Sequence, residues 1–194
     1  MTLLRMTAIC LALAAGAAPV TLQQAAIAAP PKNVEHTIYL DTKDGRITIE
    51  LRPDLAPKHV AQIEALTKRG FYDGIVFHRV IDGFMAQTGD PTGTGTGKSD
   101  LPNIPAEFSA ESFKRGTVGM ARSQDPNSAN SQFFICFADA SFLNNKYTVV
   151  GKVVSGMDVV DKIKKGTSAD NGAVSDPDKI VKMQLAADAG SGKK

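Results

Sequence analysis

Phe77-His78-Arg79-Val80-Ile81-Asp82-Gly83-Phe84-Met85-Ala86-Gln87-Thr88-Gly89-Asp90 is the stretch on which the reading of this chain turns. It holds two short strand-like segments, Ile75 to Val80 and Phe84 to Thr88, too brief and too rich in β-formers for helices. Burial in a core accounts for Phe77 and Val80. It does not account for Arg79 and Gln87 interleaved with Phe84 and Met85, an arrangement that sets hydrogen-bonding side chains beside apolar ones.

Upstream, His36 to Asp41 and Arg46 to Leu51 alternate apolar and polar residues around Asp44-Gly45, the signature of an antiparallel hairpin. Pro57 stands at a first helical position, Val60, Ile63, Ala65 and Leu66 supply an apolar stripe, and Gly70 suits the stop, so a helix is expected from Pro57 to Arg69. Downstream, strand-like runs recur at Thr117 to Ala121, Gln132 to Phe137, Thr148 to Val154 and Lys179 to Leu185, with a second helix from Met157 to Lys165. Two helices among about eight strands, without βαβ alternation, predict a mainly β fold: a closed eight-stranded antiparallel barrel capped by two α-helices.

The chain has 194 residues, and its first 28 carry one charge, Arg5, ahead of an apolar run from Ile9 to Ala18 and the small residues of Ala26-Ile27-Ala28. This is the pattern of a secretory signal cleaved after Ala28, and the apolar run is too short for a bilayer about 30 Å thick. The expected organisation is a signal peptide at 1–28, a linker at 29–35, one domain at 36–187 and a flexible tail at 188–194. The expected placement is export to the periplasm or secretion, with no membrane association after cleavage. Cys10 leaves with the signal and Cys136 alone remains, so no internal disulfide can form. Cys136 lies in the apolar run Phe133 to Phe137 and reads as a small buried hydrophobe. Loss of Arg5 takes the basic residues from 22 to 21 against 20 acids. Without a basic block, nucleic acid is not an expected partner.

The glycine run Gly93 to Ser99 fails both phosphate-binding patterns. Thr92 stands where the phosphate loop needs its first glycine and Lys98 where the dinucleotide pattern needs its third. It reads as a flexible surface loop. The three histidines, His36, His59 and His78, have no metal-motif spacing; His78 reads as a hydrogen-bonded structural residue. No G-x-S-x-G turn marks a hydrolytic serine. Neither a metal nor a cofactor is expected.

The segment Phe77 to Asp90, together with Ser131-Gln132-Phe133-Phe134-Ile135 some forty residues later, resembles the two signature blocks of the cyclophilins, and the similarity extends over most of Thr37 to Leu185. Gly89 to Gly95 and Gly119-Met120-Ala121 are similar to that family as well. The resemblance implies a peptidyl-prolyl cis-trans isomerase acting on proline-containing polypeptides, as a monomer, with Arg79 and Gln87 as catalytic residues. It implies that Phe84, Met85, Ala121, Gln132, Phe134, Phe142, Leu143 and Tyr147 line the substrate groove on the barrel's outer face. The chemistry suits those residue types. Amide resonance sets a barrier of about 18–20 kcal/mol, and no bond is broken, so no nucleophile is required. A donor aimed at the prolyl nitrogen strengthens only when the amide twists and its lone pair localises.

Three positions depart from better-known eukaryotic members of that family: Phe142 for tryptophan, Tyr147 for histidine and Arg122 for asparagine. The Arg122 to Ser131 loop is one residue longer. The competing reading is a binding module, a chaperone or assembly factor that holds proline-containing segments with little turnover. Arg79 speaks against it, because a pure binder needs no donor specific to a twisted amide.

Overall fold

The computed structural model describes residues 33–189. The expected signal peptide, most of the linker and the end of the tail lie outside the described residues.

The fold opens as the alternation predicts. Strand β1 (Thr37–Thr42) pairs antiparallel with β2 (Gly45–Leu51). Thr42 stands opposite Gly45, so the two-residue turn is Lys43-Asp44, one position earlier than expected. Ile38, Leu40, Ile47, Ile49 and Leu51 turn into the core. Helix α1 (Pro57–Lys68) starts on its proline and buries Val60, Ile63 and Leu66. Its N-cap, Ala56, has no side chain to cap with. Glu107, distant in sequence, fills that role: its carboxylate accepts the backbone N–H groups of Lys58 (3.2 Å) and His59 (3.1 Å) and bonds His59 Nδ1 at 2.6 Å. An anion is thereby fixed where a helix leaves its first N–H groups unpaired.

The remaining strands are β3 (Arg79–Ile81), β4 (Met85–Thr88), β5 (Thr117–Met120), β6 (Phe133–Cys136), β7 (Val149–Ser155) and β8 (Lys182–Leu185). A 3₁₀ turn (Ser141–Leu143) precedes β7, α2 (Met157–Lys162) precedes β8, and a short α3 (Ala186–Ala189) follows it. All eight strands form one antiparallel sheet in the order β3-β4-β6-β5-β7-β2-β1-β8.

The sheet is curled but not closed, which corrects the expected closed barrel. Its ends, β3 and β8, are not paired as strands. On this side the expected strand from Ile75 keeps two isolated bridges, Val76 to Lys179 and Arg79 to Ala173. Irregular backbone carries the other bonds of this seam, Gly74 N–H to Ile180 O, Phe77 N–H to Asp178 O and Ile180 N–H to Ile75 O. Pro177 lacks an N–H, and the non-glycine Asp176 has φ +51°, so this flank cannot supply a regular ladder strand.

The main core fills the concave side of the sheet beneath α1 and α2. A second cluster, built on Met85, Phe113, Phe134, Cys136, Ala140, Leu143 and Val149, lies apart from it. Cys136 is fully buried there, and burial pushes its thiol pKa up to about 12. It behaves as a small hydrophobe rather than a nucleophile. The glycine loop is tied down rather than free. Asp90 is 1% exposed and accepts the N–H groups of Thr92, Gly95 and Gly97, while the hydroxyls of Thr92, Thr94 and Thr96 form a chain at 2.8 Å spacing. The donors that an anion would need are thus occupied by the loop's own carboxylate. His78, expected to be hydrogen-bonded, is buried, and its ring meets the backbone of Val76 without a well-aligned hydrogen bond. Burial keeps its pKa down, against the opposing charge of Asp90, which favours the neutral ring.

Candidate active site

Register brings the two sequence blocks together. Arg79 in β3 stands opposite Gln87 in β4, Gln87 opposite Phe134 in β6, and Phe134 opposite Gly119 in β5. Directly opposed residues share a face of a sheet. Arg79, Gln87 and Phe134 therefore form one row, although the first and last are more than fifty positions apart in the chain. The adjoining row, Ile81, Met85 and Cys136, is apolar.

Above these rows lies a cavity of about 260 Å³, lined by Arg79, Phe84, Met85, Gln87, Ala121, Arg122, Phe134, Phe142, Leu143 and Tyr147. Phe134 forms its floor, packed between Phe113 (centroids 5.8 Å, 21°) and Tyr147 (6.1 Å, 83°). Gly119 makes room for that ring: a Cβ there would lie 2.6 Å from Phe134 Cζ and from Phe113 Cε1. Phe142, 61% exposed, forms a rim against Phe84 at 5.3 Å. Of the residues expected here, only Gln132 lies outside the cavity, one step further along the wall.

Gln132 instead completes a relay of hydrogen bonds whose direction is fixed. The Gly95 and Gly97 carbonyls can only accept, so Gln132 Nε2 donates to them at 3.0 and 2.8 Å. Its Oε1 then accepts from Gln87 Nε2 at 2.8 Å, which turns Gln87 Oε1 toward Arg79 Nη1 at 3.3 Å. One N–H of Gln87 remains uncommitted at the wall between this cavity and a second one.

That second cavity, about 450 Å³, is lined by Gln87, Ala121, Arg122 and Gln132 together with Gly95 to Lys98, Asn103, Ser123, Ser128 and Asn130. The two cavities share Gln87, Ala121 and Arg122. Arg122 lies over the Tyr147 ring at 4.4 Å and donates to the carbonyls of Ser123, Gln124 and Lys146. It thereby ties its longer loop to Tyr147.

Arg79 is held by more than Gln87. Its Nε donates to the carbonyl of Asn171 and its Nη2 to Asn171 Oδ1, both at 3.0 Å. Sequence reasoning missed Asn171, which sits 92 positions from Arg79 in a loop without periodicity. Its only local signal is the Asn171-Gly172 pair, a common left-handed turn. Desolvation lowers the Arg79 pKa, yet a guanidinium stays charged. The site therefore presents a fixed cation at the mouth of an apolar pocket, next to one uncommitted amide N–H of Gln87. It can hold a small apolar ring and aim N–H groups at the amide attached to it. No group of three or more metal-ligating side chains occurs among the described residues.

Comparison with known proteins identifies the family. The family profile of the cyclophilin type peptidyl-prolyl cis-trans isomerase/CLD matches residues 37–185. A probable peptidyl-prolyl cis-trans isomerase of Brucella suis is 62% identical over 176 residues, covering 85% of this chain and 88% of that protein. The peptidyl-prolyl cis-trans isomerase cyp15 of Rhizopus delemar is 42% identical over 149 residues, 74% of this chain and 23% of its own length. Among solved structures, the cyclophilin AquaCyp293 from Hirschia baltica superposes with a TM-score of 0.72 at 29% identity, covering 80% of this chain and 76% of its own. A Cryptosporidium parvum cyclophilin type isomerase, crystallised in the presence of the dipeptide Ala-Pro, gives 0.70 at 29% identity over 77% of this chain and 98% of its own. With an apolar pocket beside a fixed guanidinium, and with this similarity along nearly the whole described chain, the protein belongs to the cyclophilin-type peptidyl-prolyl cis-trans isomerase family.

Proposed function

We propose that this isomerase accelerates rotation about X-Pro bonds in folding polypeptides by stabilising the twisted amide with Arg79. The observation that carries the proposal is a permanently charged fork, bonded among the described residues to neutral acceptors, at the edge of an apolar cavity. The proline ring enters the cavity over Phe134, between Met85 and Leu143. Arg79 then faces the prolyl nitrogen, and the free N–H of Gln87 takes a substrate carbonyl. Planar cis and trans amides offer a poor lone pair at nitrogen, and the perpendicular state a good one, so the hydrogen bond from Arg79 favours the barrier top over both ground states. Residues preceding the proline pass over Ala121 into the second cavity. The direct test is NMR exchange between the cis and trans peaks of a proline tetrapeptide. Turnover at catalytic protein concentration supports the proposal, and stoichiometric binding without exchange would favour a holding module.

The signal-like segment supports action outside the cytoplasm, after cleavage behind Ala28. Intact mass of the exported protein should begin at Ala29, and an envelope species retaining residues 1–28 would overturn this placement.

Phe142 bears on inhibitors more than on turnover. Its exposed phenyl ring cannot donate a hydrogen bond, whereas the indole of a tryptophan donates one. Weak binding of cyclosporin is therefore expected, and Phe142→Trp should tighten it by roughly 10- to 100-fold, the worth of one hydrogen bond of about 0.5–1.5 kcal/mol plus added ring contact. Peptide turnover should change much less, because the proline ring sits over Phe134. Calorimetric titration of both proteins checks this. No gain in affinity would transfer the discrimination to Tyr147 or Arg122.

A further inference from the structure

We infer that Asn171 is a positioning residue for catalysis, and that its side chain must be neutral so that Arg79 keeps its whole charge for the substrate. The inference rests on the Arg79 reading above and adds a requirement to it.

A guanidinium has five N–H donors. In Arg79, Nε and Nη2 are bonded by Asn171 and one donor of Nη1 by Gln87, and every acceptor is an amide oxygen. No carboxylate pairs with Arg79 among the described residues, although four of the other five described arginines have one: Arg46 with Asp41, Arg52 with Asp54, Arg69 with Asp100 and Arg115 with Asp161. A carboxylate is even available one residue away. Asp170 is turned instead toward the hydroxyl of Thr167, at 2.7 Å.

The backbone explains how Asn171 reaches its place. Asn171 has φ +51° and Gly172 φ +80°, a left-handed pair that asparagine and glycine adopt most readily. The turn is pinned to the edge of the sheet: Val80 N–H bonds Gly172 O at 2.8 Å, Gly166 N–H bonds Val80 O at 2.9 Å, and Ala173 bridges Arg79. A Cβ on Gly172 would lie 2.5 Å from Ile81 Cγ1, so the loop can sit this close only with glycine there. Backbone carbonyl and side-chain oxygen of one residue thus grip one edge of the guanidinium and leave the other edge for the substrate.

Charge distinguishes this role from simple support. If Asn171 only buttressed Arg79, aspartate would serve as well or better, since it accepts the same bond with charge assistance. If neutrality matters, an anion there offsets the field that Arg79 directs at the prolyl nitrogen, and aspartate is worse than no side chain at all. Asn171→Gly and Asn171→Asp make the comparison, because both residues tolerate the left-handed backbone. Turnover is to be measured by NMR exchange over a range of peptide concentrations, with Arg79→Ala alongside and amide spectra to verify folding. Asn171→Gly is expected to lower kcat roughly 3- to 10-fold, about one neutral hydrogen bond, and Asn171→Asp roughly 30-fold or more, with KM within about two-fold in both because the contact acts in the transition state. Activity of folded Asn171→Asp equal to or above that of Asn171→Gly, or equal to wild type, overturns the inference while Arg79→Ala remains inactive. An active Arg79→Ala protein overturns the underlying reading instead.

Discussion

A folded Arg79→Ala protein is expected to lose roughly 100-fold or more of kcat/KM toward a proline peptide, the usual consequence of removing one preorganised donor from a transition state. The variant should fold, because Arg79 is not part of either apolar cluster, and its removal leaves only amide oxygens at the rim of an open cavity, where water can reach them. Arg79→Lys should recover little. The acceptors around Arg79 are arranged for a planar fork, with the carbonyl and side chain of Asn171 on one edge and Gln87 on another. An ammonium on a flexible stem can bond one of these or the substrate, but it cannot bond two and still point a fixed donor at the prolyl nitrogen. NMR exchange on each variant, with circular dichroism to verify folding, decides the matter. Near-normal turnover in folded Arg79→Ala would remove this residue from the mechanism.

Why Arg79 could be singled out from the sequence, and Asn171 could not, follows from where each lies. Arg79, Gln87 and Phe134 fall in short strands whose pairing places them in one row, so two compact blocks of sequence hold most of the site. Resemblance to a known family could register such blocks; periodicity alone gave only strands. Asn171 and Glu107 act across 92 and 48 positions from irregular segments, where no repeat pattern reports which side chain meets which partner. The same limit applies to the sheet's closure. Counting eight strands suggests a barrel, but closure depends on whether the first and last neighbours can pair along their length. Here the flank before β8 contains Pro177 and a left-handed Asp176, so the seam holds two isolated bridges and a few irregular bonds.

Phe134→Ala should cost about 3–5 kcal/mol of stability, the range for truncating a buried phenylalanine, because Phe134 serves the core and the cavity at once. It is 5% exposed and belongs to the second cluster, while its ring forms the floor on which the proline is expected to lie. A loss of that size lowers Tm by roughly 6–20 °C in a domain of this length. Turnover should fall as well, roughly 10- to 100-fold and largely through KM, because the apolar surface beneath the proline ring disappears. Phe134→Leu should recover much of the stability but less of the turnover, since a branched chain fills volume without offering a flat face. Gly119→Ala tests the same packing from below. Its methyl group would meet the rings of Phe134 and Phe113 at 2.6 Å, and overpacking of this kind costs about 1–3 kcal/mol. The ring can escape only upward into the cavity, so turnover should drop with stability. Combining Gly119→Ala with Phe134→Leu relieves the clash with Phe134 while that with Phe113 remains, and the double variant should be more stable than the sum of the two single losses by roughly 0.5 kcal/mol or more, as expected for residues in direct contact. Denaturant titration of the four proteins measures that coupling. Strict additivity would mean that Phe134 is not held against Gly119, and that the floor of the cavity is set by Leu143 and Met85 instead.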